Sequence, residues 1–131
     1  METVFDPLRK ISVPLTPEEA VRQNVIAWLH ESRNIPYPMM MSEYAFTYNR
    51  MRCRADIVVF SKNLSPLMLV ECKAPDVKIG RKAAEQAARY DKVLNVKYIL
   101  ITNGRESYFC ERSEDGTGYR FLKEIPDIKL D

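Results

Sequence analysis

The 131-residue sequence has little for chemistries that depend on thiols or imidazoles: three cysteines, Cys53, Cys72 and Cys110, and one histidine, His30. The cysteines are odd in number and widely spaced with no C-x-x-C pair, which argues against a disulfide framework and a zinc knuckle and fits a reducing, cytoplasmic setting. His30, alone on a predicted helix, reads as a surface or hydrogen-bonded residue. No apolar run approaches the ~18 residues of a membrane span. The start, METVFDPLRK, lacks a basic stretch followed by an apolar one, so neither export nor a membrane is expected. Net charge is also scarce, at +2 with a pI near 8.4, and nucleic-acid binding would have to rest on local clusters. There is no internal repeat, low-complexity tract or linker. What is present, 46% hydrophobic and 29% charged residues, describes an ordinary globular chain of one domain, residues 1–131.

Residues 1–15, with Pro7 and Pro14, read as an irregular arm or a short edge strand. In TPEEAVRQNVIAWLHESRN, Thr16 suits an N-cap, Pro17 the first helical position, and Glu19 a T-x-x-E capping box, so a helix is expected over about 17–32. Val21, Val25, Trp28 and Leu29 form its buried stripe, and the prolines of IPYPMMM stop it. From Tyr44 to Phe60 the period becomes two, with Met51, Cys53, Ala55, Ile57 and Val59 on one face and Arg50, Arg52, Arg54 and Asp56 on the other. Two strands or one long bent strand fit. SKNLSP is a turn, and LMLVECKA a central strand, apolar on both faces until its end. RKAAEQAARYDKVLN favours a second helix. VKYILITNGRESYFCER reads as two strands joined by a two-residue Asn103-Gly104 hairpin, and another hairpin through Asp115-Gly116 leads to YRFLKEI. Strands before and after the second helix suggest one crossover in a mixed sheet covered by helices, an α/β fold.

The run ending in Glu71 and Lys73 carries the chemical question, because unpaired buried charges are costly. Alternation turns Glu71 and Lys73 to one side and Val70 and Cys72 to the other, so the charges belong at a strand exit facing a cleft. A turn of modest length can bring Asp56 beside Glu71. Paired carboxylates raise each other's pKa unless a lysine or a divalent cation compensates. Magnesium suits such a pair, because it keeps several waters and so leaves positions for a phosphate oxygen and a nucleophile, as phosphodiester hydrolysis requires.

RADIVVF followed by LMLVECKAP resembles the D…E-x-K signature of the PD-(D/E)XK nuclease superfamily. TPEEAVRQ, RADIVV, VECKAP, EQAARY and ITNG together are similar to the N-terminal nuclease domain of type I restriction enzyme R subunits, over about Thr16 to Gly104. The resemblance implies a restriction-endonuclease-like mixed sheet flanked by helices and a metal-dependent endonuclease acting on DNA, with Mg2+ as cofactor and Mn2+ able to substitute. By the same resemblance Asp56 and Glu71 bind metal, helped by the Cys72 carbonyl, and Lys73 orients or activates the attacking water. Glu19 matches an acidic residue on the first helix that can complete the metal's outer shell. Gln86 and Tyr90 match a Q-x-x-x-Y motif near the active site and the DNA. One departure is Ala55, where the pattern has proline before the aspartate. A Walker A motif, G-x-x-x-x-G-K-[ST], is missing, so the ATP-driven motor of the resembled subunits is not expected in this chain.

Blander readings stand beside these. A strand-end salt bridge would account for Asp56, Glu71 and Lys73, and the capping box alone would account for Glu19, with Glu18 as competitor. Arg22 and Gln23 bind phosphate or are merely solvated. Arg50, Arg52 and Arg54, with Lys78, Arg81, Lys82 and Arg89 around the second helix, form a guide for a phosphate backbone or scattered surface charge. A DNA-binding module that does not cut is the rival function, and a purely structural interaction protein ranks behind it. A homodimer or partner subunit is expected if both strands of a duplex are to be cut.

Overall fold

The computed structural model describes the backbone of residues 1–131 and every side chain except those of Ala83, Ala84, Ala88 and Asp91. The first surprise is at the N-terminus. Of the two expectations for residues 1–15, the irregular arm gives way to short strands, which pair with each other in a separate hairpin, β1 (Thr3–Asp6) with β2 (Ile11–Pro14). Asp6 explains it: its buried carboxylate accepts the Leu8 amide at 2.7 Å and pairs with Arg9, and Lys10 takes a left-handed φ of 58° to close the turn.

Helix α1 (Pro17–Ser32) starts and ends where expected. Thr16 Oγ1 accepts the Glu19 amide at 3.1 Å, but the reciprocal half of the capping box does not form. The Thr16 amide goes to the Pro14 carbonyl instead, which frees the Glu19 carboxylate for other partners. The helix closes at Asn34, whose φ of 60° lets the Ile35 amide return to the Leu29 carbonyl at 3.1 Å. His30 Nδ1 lies 2.9 Å from the Ile35 carbonyl, and its ring stacks on Tyr37. Trp28, expected in the core, is half-buried at its rim under the Arg33 guanidinium, while Ile26 joins Val21, Val25 and Leu29 inside.

The main sheet has six strands in sequence order: β3 (Met40–Tyr48), β4 (Met51–Phe60), β5 (Pro66–Cys72), β6 (Tyr98–Thr102), β7 (Ser107–Arg112) and β8 (Tyr119–Leu122). Only β5 and β6 run parallel, and the second helix, α2 (Arg81–Leu94), makes the crossover between them. Their apolar runs sit in the middle of the sheet, and all of Tyr98–Thr102 is buried. On one face α1 packs Val21, Val25, Ile26 and Leu29 against Ile57, Val59, Val70 and Leu100. On the other, Ala87 and Leu94 of α2 meet Val58, Leu69, Ile99 and Ile101. Each such side chain contributes about 1.5–3 kcal/mol by leaving water, so truncating fully buried Leu29 to Ala would cost about 2–5 kcal/mol.

Two connections and the course of β4 shape the sheet around the site. β3 and β4 are separate strands joined by Asn49 and Arg50, both with positive φ (50° and 63°), the geometry of a two-residue hairpin, without the glycine that usually marks one. The β6–β7 connection is four residues rather than two, because the Asn103 side chain turns inward and accepts the Arg105 and Glu106 amides at 2.8 and 2.7 Å. Lastly, strict alternation fails in β4: Ala55 faces the α2 side, whereas Ile57 and Val59 face α1. The break falls between the pairs Ser42↔Ile57 and Tyr44↔Ala55, where Glu43 takes φ 52°. Asp56 stands in that break.

Candidate active site

Asp56 and Glu71 meet where β4 and β5 part. The ladder between these strands stops at Ile57↔Val70, so Asp56 and Glu71 are the next residues along each strand. In place of a further main-chain bond, Asp56 Oδ2 accepts the Cys72 amide at 2.7 Å. The side chain thus satisfies a buried donor that the separating strands would otherwise leave unpaired. Its other oxygen, Oδ1, receives Arg22 Nη2 from α1 at 2.9 Å. Beside it, Glu71 is pushed up to about 8, by burial first and by the adjoining Asp56 charge second, with Lys73 pulling the other way. Glu71 Oε1 is buried with no hydrogen-bond partner. Burial likewise pushes the Cys72 thiol up, which makes it an inert core residue rather than a nucleophile.

Lys73 follows directly on β5, half-buried, with its amide bonded to the Thr102 carbonyl at 2.9 Å. Asn103 fixes the segment beyond it by donating from Nδ2 to the Val77 carbonyl at 2.8 Å. The ITNG stretch therefore anchors the loop that follows Glu71 and Lys73.

Glu19 belongs to a second ring of charge. Its Oε1 accepts from Arg9 Nη2 at 2.8 Å and Arg22 Nη1 at 3.2 Å, and its Oε2 from Gln23 Nε2 at 3.1 Å. Arg22, only 6% exposed, also reaches Glu43 at 3.4 Å. Arg9 and Glu43 escaped the sequence reading: Arg9 arrives from a hairpin far from any motif, and Glu43 looks like one polar residue in an alternating strand. A cavity of about 370 Å³, lined by Arg9, Thr16, Glu18, Glu19, Arg22 and Glu43 among others, opens this cluster to solvent.

Gln86 Nε2 donates to Tyr90 Oη at 3.0 Å, and the Tyr90 ring packs edge-on to Phe46 at 5.0 Å. This pair packs on the β3–β4 hairpin, and among the described residues neither side chain bonds to the Asp56 cluster. Arg54 and Lys82 are exposed, Arg54 with one loose contact to Glu43 at 3.6 Å.

Among the described residues no group of three or more His, Cys, Asp or Glu side chains is arranged to hold a metal ion. The candidate donor set is therefore Asp56 and Glu71 with main-chain oxygen. Hard oxygen donors, one of them a buried oxygen without a partner, fit magnesium, which binds through one or two carboxylates and keeps its waters.

The sequence profile of the Type I restriction enzyme R protein N terminus matches residues 17–126. The chain belongs to that family. Within it, the matched span takes in Asp56, Glu71, Lys73 and both helices, but not the β1–β2 hairpin. The fold of this R protein N-terminal domain is similar to a fragment provisionally described as an HsdR subunit of a type I restriction enzyme from Vibrio vulnificus YJ016. That match has a TM-score of 0.58 and 20% identity, over 86% of this chain and 24% of the other. The chain thus spans about a quarter of that relative. A protein provisionally described as a nuclease belonging to DUF820, from Anabaena variabilis ATCC 29413, matches with a TM-score of 0.55 and 12% identity, over 95% of this chain and 80% of the other. No curated protein matches the chain. Among the described residues no helix is long and apolar enough to cross a membrane.

Proposed function

We propose that this domain is a divalent-metal-dependent endonuclease that hydrolyses DNA phosphodiester bonds at Asp56, Glu71 and Lys73. One observation carries the reading: two carboxyls converge at a strand separation, and one of them keeps a buried oxygen without a partner. Such an arrangement is costly unless a proton or a cation completes it. Family membership and the nuclease-like fold support the same reading.

The reading gives each residue a role. Asp56 and Glu71 are the metal ligands, with the Cys72 carbonyl on the strand edge from which the Cys72 amide already reaches Asp56. The cation, when bound, supplies charge for the phosphoryl oxygen and acidifies a water. Lys73 stands close enough to lower the Glu71 pKa, and its ammonium stabilises charge growing on the phosphate or on hydroxide. Glu19 acts through Arg22 and Gln23, which it holds. The DNA backbone is guided by Arg50, Arg52 and Arg54 with Lys82 of α2, while Gln86 and Tyr90 support the hairpin that carries the arginines. For cutting both strands of a duplex the reading adds a second copy or a partner subunit, and sedimentation showing only monomer on DNA would refute that.

Cleavage of supercoiled plasmid and single-stranded DNA with Mg2+ or Mn2+ tests this. Wild type should cut, while Glu71→Ala and Lys73→Ala should not. DNA retained but never cut under any metal would instead favour a binding module with the nuclease fold.

A further inference from the structure

Arg22 has more carboxylates than an ordinary helix arginine meets. Its guanidinium lies 2.9 Å from Asp56 Oδ1, 3.2 Å from Glu19 Oε1 and 3.4 Å from Glu43 Oε1, with Glu18 at 4.0 Å. The side chain is almost fully buried, yet Nε has no partner. The planar guanidinium is suited to paired, bidentate bonds with one carboxylate. This one spreads its terminal nitrogens over several acids, and the shortest contact is to the aspartate proposed to bind metal.

That contact has a consequence for the oxygen it uses. Asp56 Oδ2 accepts the Cys72 amide and Arg22 holds Oδ1, so a cation that takes Oδ1 meets the guanidinium there. A divalent ion at coordination distance from Oδ1 would stand within a few ångströms of the guanidinium, on the same partly buried carboxylate. Two cations so close repel strongly where the dielectric is low. Glu19 and Glu43 offer Arg22 an alternative hold that does not involve Asp56, and the cavity in front of them gives it room.

We infer that Arg22 is the resident counter-cation of Asp56 and sets the metal affinity of the Asp56–Glu71 pair by competing with the divalent ion for Oδ1. In the metal-free protein it keeps Asp56 oriented and its charge compensated, and on metal binding it withdraws to Glu19 and Glu43. Arg22 is thus a positioning residue whose removal tightens metal binding, the opposite of what a scaffold residue would do. The inference rests on the proposed metal site.

The test is a calorimetric titration with Mn2+ alone, free of DNA, on wild type, Arg22→Gln, Arg22→Lys and Glu71→Ala. Arg22→Gln should bind about tenfold more tightly than wild type, a difference of about 1.4 kcal/mol, and Arg22→Lys should return towards wild type. Equal or weaker binding by folded Arg22→Gln, with binding lost in Glu71→Ala, overturns the role of Arg22 and leaves the metal site standing. No binding by wild type overturns both. A second measurement needs no variant. In NMR spectra of wild type, the Arg22 guanidinium should rotate slowly in EDTA and faster at saturating Mg2+, and a spectrum unchanged by bound Mg2+ would again remove the competition.

Discussion

Asp56 Oδ2 accepts the Cys72 amide at 2.7 Å immediately past the last main-chain pair of β4 and β5. The bond lets the strands separate without orphaning a buried donor, and it aims the other oxygen at Arg22. Structure and site therefore share one side chain. Asp56→Ala should leave both the Cys72 amide and the buried Arg22 charge short of a partner, costing roughly 2–4 kcal/mol. Asp56→Asn keeps one acceptor and should cost about half as much, while the proposed cleavage should be lost in both. Denaturant melts decide this, and an Asp56→Ala protein as stable as wild type would remove Asp56 from its structural role.

Glu71 makes stability depend on pH. Its folded value is about 8 against an ordinary 4.5, so between these values the folded chain keeps a proton that the unfolded chain has released. Stability therefore falls as pH rises through that window, and the loss is complete above about 8. Glu71→Gln cannot ionise. Without divalent ions it should match wild type at pH 5 and exceed it at pH 9 by roughly 2–4 kcal/mol. Thermal melts in EDTA at the two pH values measure the difference, and an equal offset at both would mean that Glu71 titrates normally.

How much of this was legible in advance depends on the range of the forces involved. Helix α1 could be read because Thr16, Pro17 and the apolar stripe are local signals, and β5 because a run such as LMLV has few alternatives. The single crossover in a mixed sheet followed from one helix lying between two buried strands, whereas the order of the six strands was not read in advance. The β4 face reversal could not be read: it depends on Glu43 adopting a left-handed φ in a partner strand, and no residue type announces that. Nor could Arg9, whose contacts to Glu19 and Glu43 join segments far apart in sequence. Asn103-Gly104 misled because Asn103 spends its side chain on the loop and on Val77 rather than on a tight turn.

The β1–β2 hairpin lies outside the family match, yet it is tied to the charge cluster. Arg9 pairs with Asp6 in the hairpin and, at 2.8 Å, with Glu19 in α1, and Leu8 packs on the α1 side of the core. The hairpin should therefore be part of the folded unit. Arg9→Ala is expected to cost about 1–2 kcal/mol, since it leaves Asp6 buried without its counter-ion, and removal of residues 1–15 should cost more. Urea melts of the two proteins against the full chain check this, and a truncated chain that melts with wild type would make the hairpin an appendage.

The β3–β4 hairpin continues past the end of β5, with pairs from Tyr44↔Ala55 to Tyr48↔Met51 beyond the last β4–β5 pair. Its aromatic face is covered by Tyr90 of α2 against Phe46 and Tyr48. The opposite face carries Arg52 and Arg54 across from Thr47 and Ala45, all four exposed. Alternate residues of a strand stand about 6.6 Å apart, a spacing comparable to that of successive phosphates along one strand of DNA. Small neighbours leave the guanidinium groups free to reach them, and Arg54 gives up only a loose, exposed contact to Glu43. If this face tracks the backbone, Arg52→Ala with Arg54→Ala should weaken DNA binding for every sequence alike and make the slope of log K against log salt shallower by about 2. Stability should change by less than about 0.5 kcal/mol, because neither side chain is buried. Fluorescence anisotropy across a salt series reads the slope. An unchanged slope in a protein that still binds and cuts DNA would mean that the strand enters by another face, with α2 and Lys82 the next place to look.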